Sequence, residues 1–293
     1  MPRISDPTGT RRLRGALWLL LLLPLAADSL QSSHQAGEAP LNHLSEQEQK
    51  AGWRLLFDGG STAGWRGFRR DEFPSDCWDL SDGALHRKTS STVDEKRCGD
   101  LLTVQQFSDF HLKLEWRIAP KGNSGVKYRV REDRPGTWEQ AYHDYEVLQA
   151  KKHGRPSHEE LARLAPADWR YFPMGFEFQM IDDFGNPDAR SSPLRVTGAL
   201  YDLVAPGAAV TWKLDDFNLA EIVARGPQVE HWLNGVGVLK LRTDGPVLRA
   251  AIANSKFARM EGFGSICQGH IALQDHGSQV WFRNIKIREI KSR

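Results

Sequence analysis

Short alternating runs of apolar and polar residues begin at Trp53 and recur almost to the end of the chain. A clean run over 110–118 puts Phe110, Leu112, Leu114, Trp116 and Ile118 on one face and Lys113, Glu115 and Arg117 on the other. A period of two is the mark of a half-buried strand. Comparable runs cover 126–131, 176–182, 221–224, 229–233, 270–276 and 280–290. The run 78–85 is broken at Asp82-Gly83, a pair suited to a tight hairpin turn. Many short strands with turn residues between them predict an all-β sandwich.

The stretch 134–173 breaks this rhythm. Trp138, Tyr142, Tyr145 and Gln149 fall at helical spacing, and Ser157-His158-Glu159-Glu160 is a capping box that opens a second short helix. Such an insertion between two strands fits either a lid beside a site or a surface excursion over a sheet edge.

The chain opens on a different pattern. Arg11, Arg12 and Arg14 precede an apolar run over 16–25 that ends in Leu25-Ala26-Ala27. A charged start, about ten apolar residues and a small-residue exit predict a signal peptide over 1–27. The run is too short for a membrane-spanning helix. Residues 28–50 read as a linker or N-terminal arm with a short helix after Ser45, and 51–291 as one folded domain. The expectation is an exported protein, periplasmic or extracellular, with no stable membrane insertion after cleavage.

Composition narrows the partners. With 40% hydrophobic residues the chain can build a core, which excludes wholesale disorder. Its 26 Gly and 15 Pro favour turns over long helices. The net charge of +2 is misleading, because the first 27 residues contribute +3 and the remainder carries −1. A nearly neutral body has no electrostatic reason to bind nucleic acid or an anionic membrane. Cys77, Cys98 and Cys267 allow at most one internal bridge. Cys77 and Cys98 could close it, or all three could be buried thiols.

Several chemistries are excluded. No Gly-rich loop joins a strand to a helix, and Gly235-Val236-Gly237 lies in a hairpin-like turn. His158-Glu159 lacks the second His of a metalloprotease helix, and Ser124 sits in Gly-Asn-Ser-Gly rather than in a nucleophile elbow. The polar strand faces are more informative. Lys127 and Arg129 oppose Val126, Tyr128 and Val130; Glu177 and Gln179 oppose Phe176, Phe178 and Met180; Gln274 and His276 oppose Ile271 and Leu273. If these strands share a sheet, Lys127, Arg129, Glu177, Gln179 and His276 converge on its outer surface. A plain solvated sheet face, laced with cross-strand ion pairs, alternates in the same way.

From Leu56 to Ile290 the sequence resembles the 3-keto-disaccharide hydrolase family. The resemblance is carried by Leu56-Phe57-Asp58-Gly59, Gly99-Asp100-Leu101-Leu102-Thr103, Gly122-Asn123-Ser124-Gly125-Val126-Lys127-Tyr128 and Phe176-Glu177-Phe178-Gln179-Met180-Ile181-Asp182-Asp183. It continues through Thr197-Gly198-Ala199-Leu200-Tyr201, Val229-Glu230-His231-Trp232-Leu233-Asn234-Gly235, Ser255-Lys256-Phe257 and Gly269-His270-Ile271-Ala272-Leu273-Gln274-Asp275-His276-Gly277. The insertion at 134–173 and Asp215-Asp216-Phe217-Asn218 depart from the family pattern.

The resemblance implies a concanavalin-A-like jelly-roll sandwich of two curved antiparallel sheets, and cleavage of a small saccharide whose C3 hydroxyl has become a ketone. An upstream sugar 3-dehydrogenase is then the expected pathway partner. Elimination and hydration at such a sugar need a base near C2, a cation or metal near the C3 oxygen, and an acid near the leaving oxygen. Glu177 or His276 are expected as base and acid, with Lys127 or Arg129 polarising the carbonyl. Asn123, Gln179, Asp182, Tyr201 and Gln274 are expected to bind hydroxyls. No cofactor is required, though carboxylates with His276 could hold a divalent metal.

His231 is expected to make a structural hydrogen bond. Trp65 and Trp78 are candidate sugar platforms, whereas Trp116 shares the apolar face of its strand. Two rival readings use the same fold. One is a non-catalytic carbohydrate-binding module, which would favour an aromatic platform over titratable groups. The other is a two-carboxylate glycosidase with Glu115 opposite Glu177.

Overall fold

The computed structural model describes residues 40–94, 98–132, 173–260 and 262–291. The expected leader over 1–27 and, apart from Pro173, the expected helical insertion over 134–173 lie outside the described residues. The described chain forms two antiparallel sheets packed face to face, the all-β sandwich that the strand pattern predicts and the jelly roll that the resemblance implies.

One sheet contains β1 (Arg54–Leu55), β3 (Trp78–Ser81), β4 (Ala84–Arg87), β6 (Phe110–Ile118), β9 (Asn218–Arg225), β10 (Gln228–Leu233), β11 (Val236–Arg242) and β13 (Val280–Glu289). Its order is β11-β10-β9-β6-β13-β4-β3, with β1 also paired to β13. The second sheet is β2 (Trp65–Gly67), β5 (Leu101–Thr103), β12 (His270–Leu273), β7 (Asn123–Arg131) and β8 (Met174–Ile181), in the order β2-β5-β12-β7-β8. Asp82 and Gly83 both take positive φ, as the β3–β4 hairpin turn requires.

The apolar faces meet between the sheets. On β6 the five residues Phe110 to Ile118 at alternate positions are at most 1% exposed, and they pack with Tyr128, Phe178 and Phe282. Burying each such side chain stabilises the fold by roughly 1.5–3 kcal/mol, which is why the period of two survives folding. Trp65 and Trp78 join this core at 4% and 0% exposure, and their indole N–H groups donate to the carbonyls of Leu56 and Gly99. They are therefore core residues and not sugar platforms.

Cys77 and Cys98 form a disulfide, and Cys267 is free and exposed. The bridge is thus the correct one of the two cysteine readings. Ser45 caps helix α1 (Glu46–Lys50) with a reciprocal Glu48 bond, the short helix expected there. The arm around it is docked, since buried Asn42 exchanges backbone and side-chain bonds with Asn284. No helix among the described residues is long and apolar enough to cross a membrane.

Strand β7 holds one irregularity. Arg129 has φ 54°, and the pairing of β7 with β8 shifts between Tyr128 and Arg131. This bulge reverses which side chains face which way. Upstream, Val126 and Tyr128 point into the core, as the alternation predicts. Downstream, Val130 joins Phe68, Leu102 and Ala272 in a separate apolar cluster.

Candidate active site

Strands β7, β8 and β12 expose their polar positions on the side of the five-stranded sheet away from the core. Lys127 lies directly opposite Glu177 in register, and Gly125 lies opposite Gln179. Ala272 flanks Lys127 from β12, which delivers Gln274 and His276 just beyond its end. Asn123, Lys127, Glu177, Gln179, Gln274 and His276 line one cavity of about 200 Å³. Of the five residues that alternation expects to converge, Lys127, Glu177, Gln179 and His276 do so, and Arg129 does not.

The floor is a buried chain of charges. Lys127 Nζ donates to Asp100 Oδ2 at 2.8 Å, and the Asp275 backbone N–H donates to Asp100 Oδ1 at 2.9 Å. Asp275 in turn accepts Arg87 Nε at 2.7 Å and the Gly99 N–H at 3.0 Å. Burial opposes the Lys127 charge, but Asp100, then Glu177 and Asp275, outweigh it and raise the ammonium pKa above that of an ordinary lysine. Lys127 is therefore a fixed cation. Gly99 and Asp100 follow Cys98 directly, so the disulfide anchors the segment that supplies the lysine's partner.

Glu177 behaves differently. Burial pushes its pKa up to about 7; Lys127 and Lys256 pull it down, while Asp100 and Asp188 add to the rise. Gln274 Nε2 donates to its Oε2 at 3.3 Å. The Gln179 amide, with its nitrogen turned toward the carboxylate, donates to Oε1 at 2.9 Å and to Ser124 O at 3.1 Å. Gln274 Oε1 is buried with no hydrogen-bond partner among the described residues, so it can accept from a ligand hydroxyl. The carboxylate crosses β7 at Gly125, where a Cβ would stand 2.6 Å from Oε1. Only glycine leaves room.

One wall comes from the chain after β8. The Tyr201 N–H donates to Glu177 O at 3.1 Å, which carries the phenol to the cavity. Its hydroxyl donates to Asp188 Oδ2 in helix α2 (Pro187–Ser191) at 3.1 Å. Arg195 binds both Asp188 and Asp202, and Lys256 stands 3.7 Å from Asp202 and 4.4 Å above the Tyr201 ring. Partial burial, with Arg195 nearby, lowers the Lys256 pKa against the pull of Asp202 and Glu177. The lining also includes the apolar Pro173, Met174, Leu203, Phe257, Met260 and Phe263.

Other expected residues lie elsewhere. The bulge turns Arg129 away from the cavity: Nη2 donates to Gly226 O at 2.7 Å and lies 3.6 Å from Asp109 Oδ1, tying the two sheets together. It polarises nothing in the site. Asp182 does not line the cavity, because its carboxylate accepts the backbone N–H groups of Lys121, Phe184 and Gly185 at a turn. Burial raises its pKa, yet those three donors outweigh it and leave the pKa lowered. Glu115 belongs to β6 in the other sheet and pairs with Arg283 at 2.7 Å, so it cannot face Glu177. His231 is fully buried, with Tyr128 Oη 3.0 Å from Nε2 and Gly198 O 3.1 Å from Nδ1. Burial pushes it down to about 4, the neutral structural histidine expected.

Asp100 and Lys256 were missed as site residues by strand periodicity. Both sit beside strands rather than in them, where a period of two has no meaning. Their only signal is the matched blocks Gly99-Asp100-Leu101 and Ser255-Lys256-Phe257. Among the described residues, no three His, Cys, Asp or Glu side chains gather as ligands for a metal ion.

The profile of the 3-keto-alpha-glucoside-1,2-lyase-like domain matches residues 52–288, nearly the whole described chain. The chain belongs to this family. A 3-keto-disaccharide hydrolase from Bacteroides thetaiotaomicron is 28% identical over 264 residues, covering 85% of this chain and 82% of that protein. Among solved structures, a candidate glycosyl hydrolase from Parabacteroides distasonis superposes with a TM-score of 0.65 at 25% identity, covering 86% of this chain and all of that one. A second from the same organism, at 21% identity and TM-score 0.52, covers 81% of this chain and 99% of its own, and speaks to the fold alone. The matched span of this lyase-like domain includes Asp100, Lys127, Glu177, Lys256 and Gln274.

Proposed function

We propose that the protein cleaves 3-keto glycosides by elimination followed by hydration. The observation that carries this reading is the facing pair on β7 and β8: a permanently charged Lys127 beside a carboxylate, Glu177, that titrates near neutrality. A base that is ionised at working pH, next to a fixed cation, is what proton removal alpha to a carbonyl requires. A binding module needs no such pair.

In this mechanism Glu177 takes the hydrogen on C2. The electron pair left behind is held as an enolate, its oxygen at C3 facing the Lys127 ammonium. The C1–O bond then breaks, a C1–C2 double bond forms, and the ketone is regenerated. His276, exposed on the cavity rim, protonates the departing oxygen. Water adds through its oxygen to C1 and gives its spare proton to His276, Glu177 returns the proton to C2, and the sum is hydrolysis with both groups restored. Asn123, Gln179 and Gln274 orient the ring hydroxyls.

The substrate must come from a reaction that oxidises a glycoside at C3, so a sugar 3-dehydrogenase is the partner activity. The leader pattern and the disulfide both support an exported protein, since such bridges persist in oxidising compartments. Incubating the purified protein with 3-keto-α- and 3-keto-β-glucosides and their unoxidised parents, with and without chelator, tests the reading. Cleavage of the ketone alone is expected, and Glu177→Gln should lower kcat by about 10²–10⁴, the usual worth of a general base. A wild-type rate in that variant removes Glu177 from the mechanism.

A further inference from the structure

Two lysines approach the Glu177 carboxylate from opposite sides. Lys127 faces it from β7. The other edge of β8 is taken by residues 198–201: the Gln179 N–H donates to Ala199 O at 3.2 Å and the Tyr201 N–H to Glu177 O at 3.1 Å. Tyr201 therefore stands across Glu177 from Lys127, and Lys256 Nζ lies 4.4 Å above its ring. The two ammonium groups are in different states. Lys127 is buried and donates to Asp100. Lys256 lines the same cavity with its side chain 49% exposed, and it donates a hydrogen bond to none of the described residues. Asp202 Oδ2, at 3.7 Å, is beyond hydrogen-bond reach, and the Tyr201 hydroxyl already donates to Asp188.

We propose that Lys256 recognises the departing sugar of a 3-keto-disaccharide by donating to one of its hydroxyls. The inference rests on the elimination reading above and names a specificity-determining residue within it. C1 and C3 are the two ring neighbours of C2 and diverge from it. With C2 over Glu177 and the C3 oxygen at Lys127, the substituent on C1 extends toward Tyr201 and Lys256. An ammonium offers three donors and no acceptor, which suits hydroxyl oxygens. Since no protein group takes those donors, a sugar hydroxyl gains a charged hydrogen bond without breaking one inside the protein. A methyl group on the same oxygen has nothing to accept it.

The test compares a methyl 3-keto-glucoside with a 3-keto-disaccharide of two glucose units, matched in anomeric configuration. The wild type should favour the disaccharide in kcat/KM. Lys256→Met, which keeps the length of the side chain without its charge, should lower the disaccharide-to-methyl ratio by roughly tenfold to a hundredfold, the worth of one hydrogen bond from a charged group. Any effect of the lost charge on Glu177 falls on both substrates and cancels in the ratio. If Lys256→Met does not fold, Lys256→Gln gives the same readout. A ratio that stays at the wild-type value, including one where both rates fall together, overturns the role of Lys256 and leaves the elimination reading intact. A wild type that favours the methyl glycoside overturns it as well. Failure of the wild type to cleave either ketone overturns the elimination reading and this inference with it.

Discussion

Asp100 Oδ2 accepts the Lys127 ammonium at 2.8 Å, with both side chains almost out of water. Breaking a buried pair from one side leaves an uncompensated charge and typically costs about 3–5 kcal/mol. Asp100→Asn should therefore lower stability by an amount near the bottom of that range, because Glu177 and Asp275 still face the lysine. It should also move the acid limb of the pH–rate profile downward, since the Asp100 charge is one of the groups that raise Glu177. Chemical denaturation and kcat/KM from pH 5 to 9 give both readouts.

The raised Glu177 pKa ties stability to pH. Between its ordinary value of 4.5 and about 7 the folded state holds a proton that the unfolded chain has released. Stability is then greatest below the lower value and falls as pH rises through the upper one, by up to about 3 kcal/mol. Glu177→Gln mimics the protonated carboxyl. It should match the wild type at pH 5 and exceed it in denaturation midpoint at pH 8, while activity is lost at both.

Wild-type activity should follow the same group with opposite consequence. The base works only when ionised, so kcat/KM should fall tenfold per pH unit below about pH 7. A flat profile from pH 5 to 8 would show that another group abstracts the proton.

A single methyl at Gly125 should separate folding from catalysis. The clash is with the Glu177 side chain, which moves aside only by loosening its Gln274 and Gln179 bonds, so Gly125→Ala should cost about 1–2 kcal/mol in a thermal melt. Displacing the carboxylate by about 1 Å should nonetheless lower kcat by roughly 10². Equal losses of stability and rate would contradict this.

Opening the Cys77–Cys98 bridge removes a cross-link over a 21-residue separation, worth about 3 kcal/mol in the chain-entropy model. Reduction, or Cys77→Ala with Cys98→Ala, should lower the denaturation midpoint. It should also reduce kcat through the adjoining Gly99-Asp100 segment. Measuring both with and without reductant checks the link.

Where a side chain's direction follows from strand parity, the sequence was legible. Lys127, Glu177 and Gln179 could be placed on one surface because Val126, Tyr128, Phe176 and Phe178 must be buried. The same logic failed at Arg129, since an arginine in the left-handed region leaves no compositional trace and the bulge inverts everything after it. Asp182 was misjudged because a carboxylate spent on backbone N–H groups looks, in sequence, like any other strand-end acid. Asp100 and Lys256 escaped notice because they come from segments with no periodicity to read.

The twist at Arg129 gives one strand two different facings. Downstream of it Val130 packs with Phe68, Leu102 and Ala272, and Arg131 pairs with Met174 at the cavity wall. Adding or deleting one residue upstream would rotate Val126 and Tyr128 into the chamber and drive the lysine into the oil between the sheets. An insertion before Arg129 should thus be ruinous to both core and chamber.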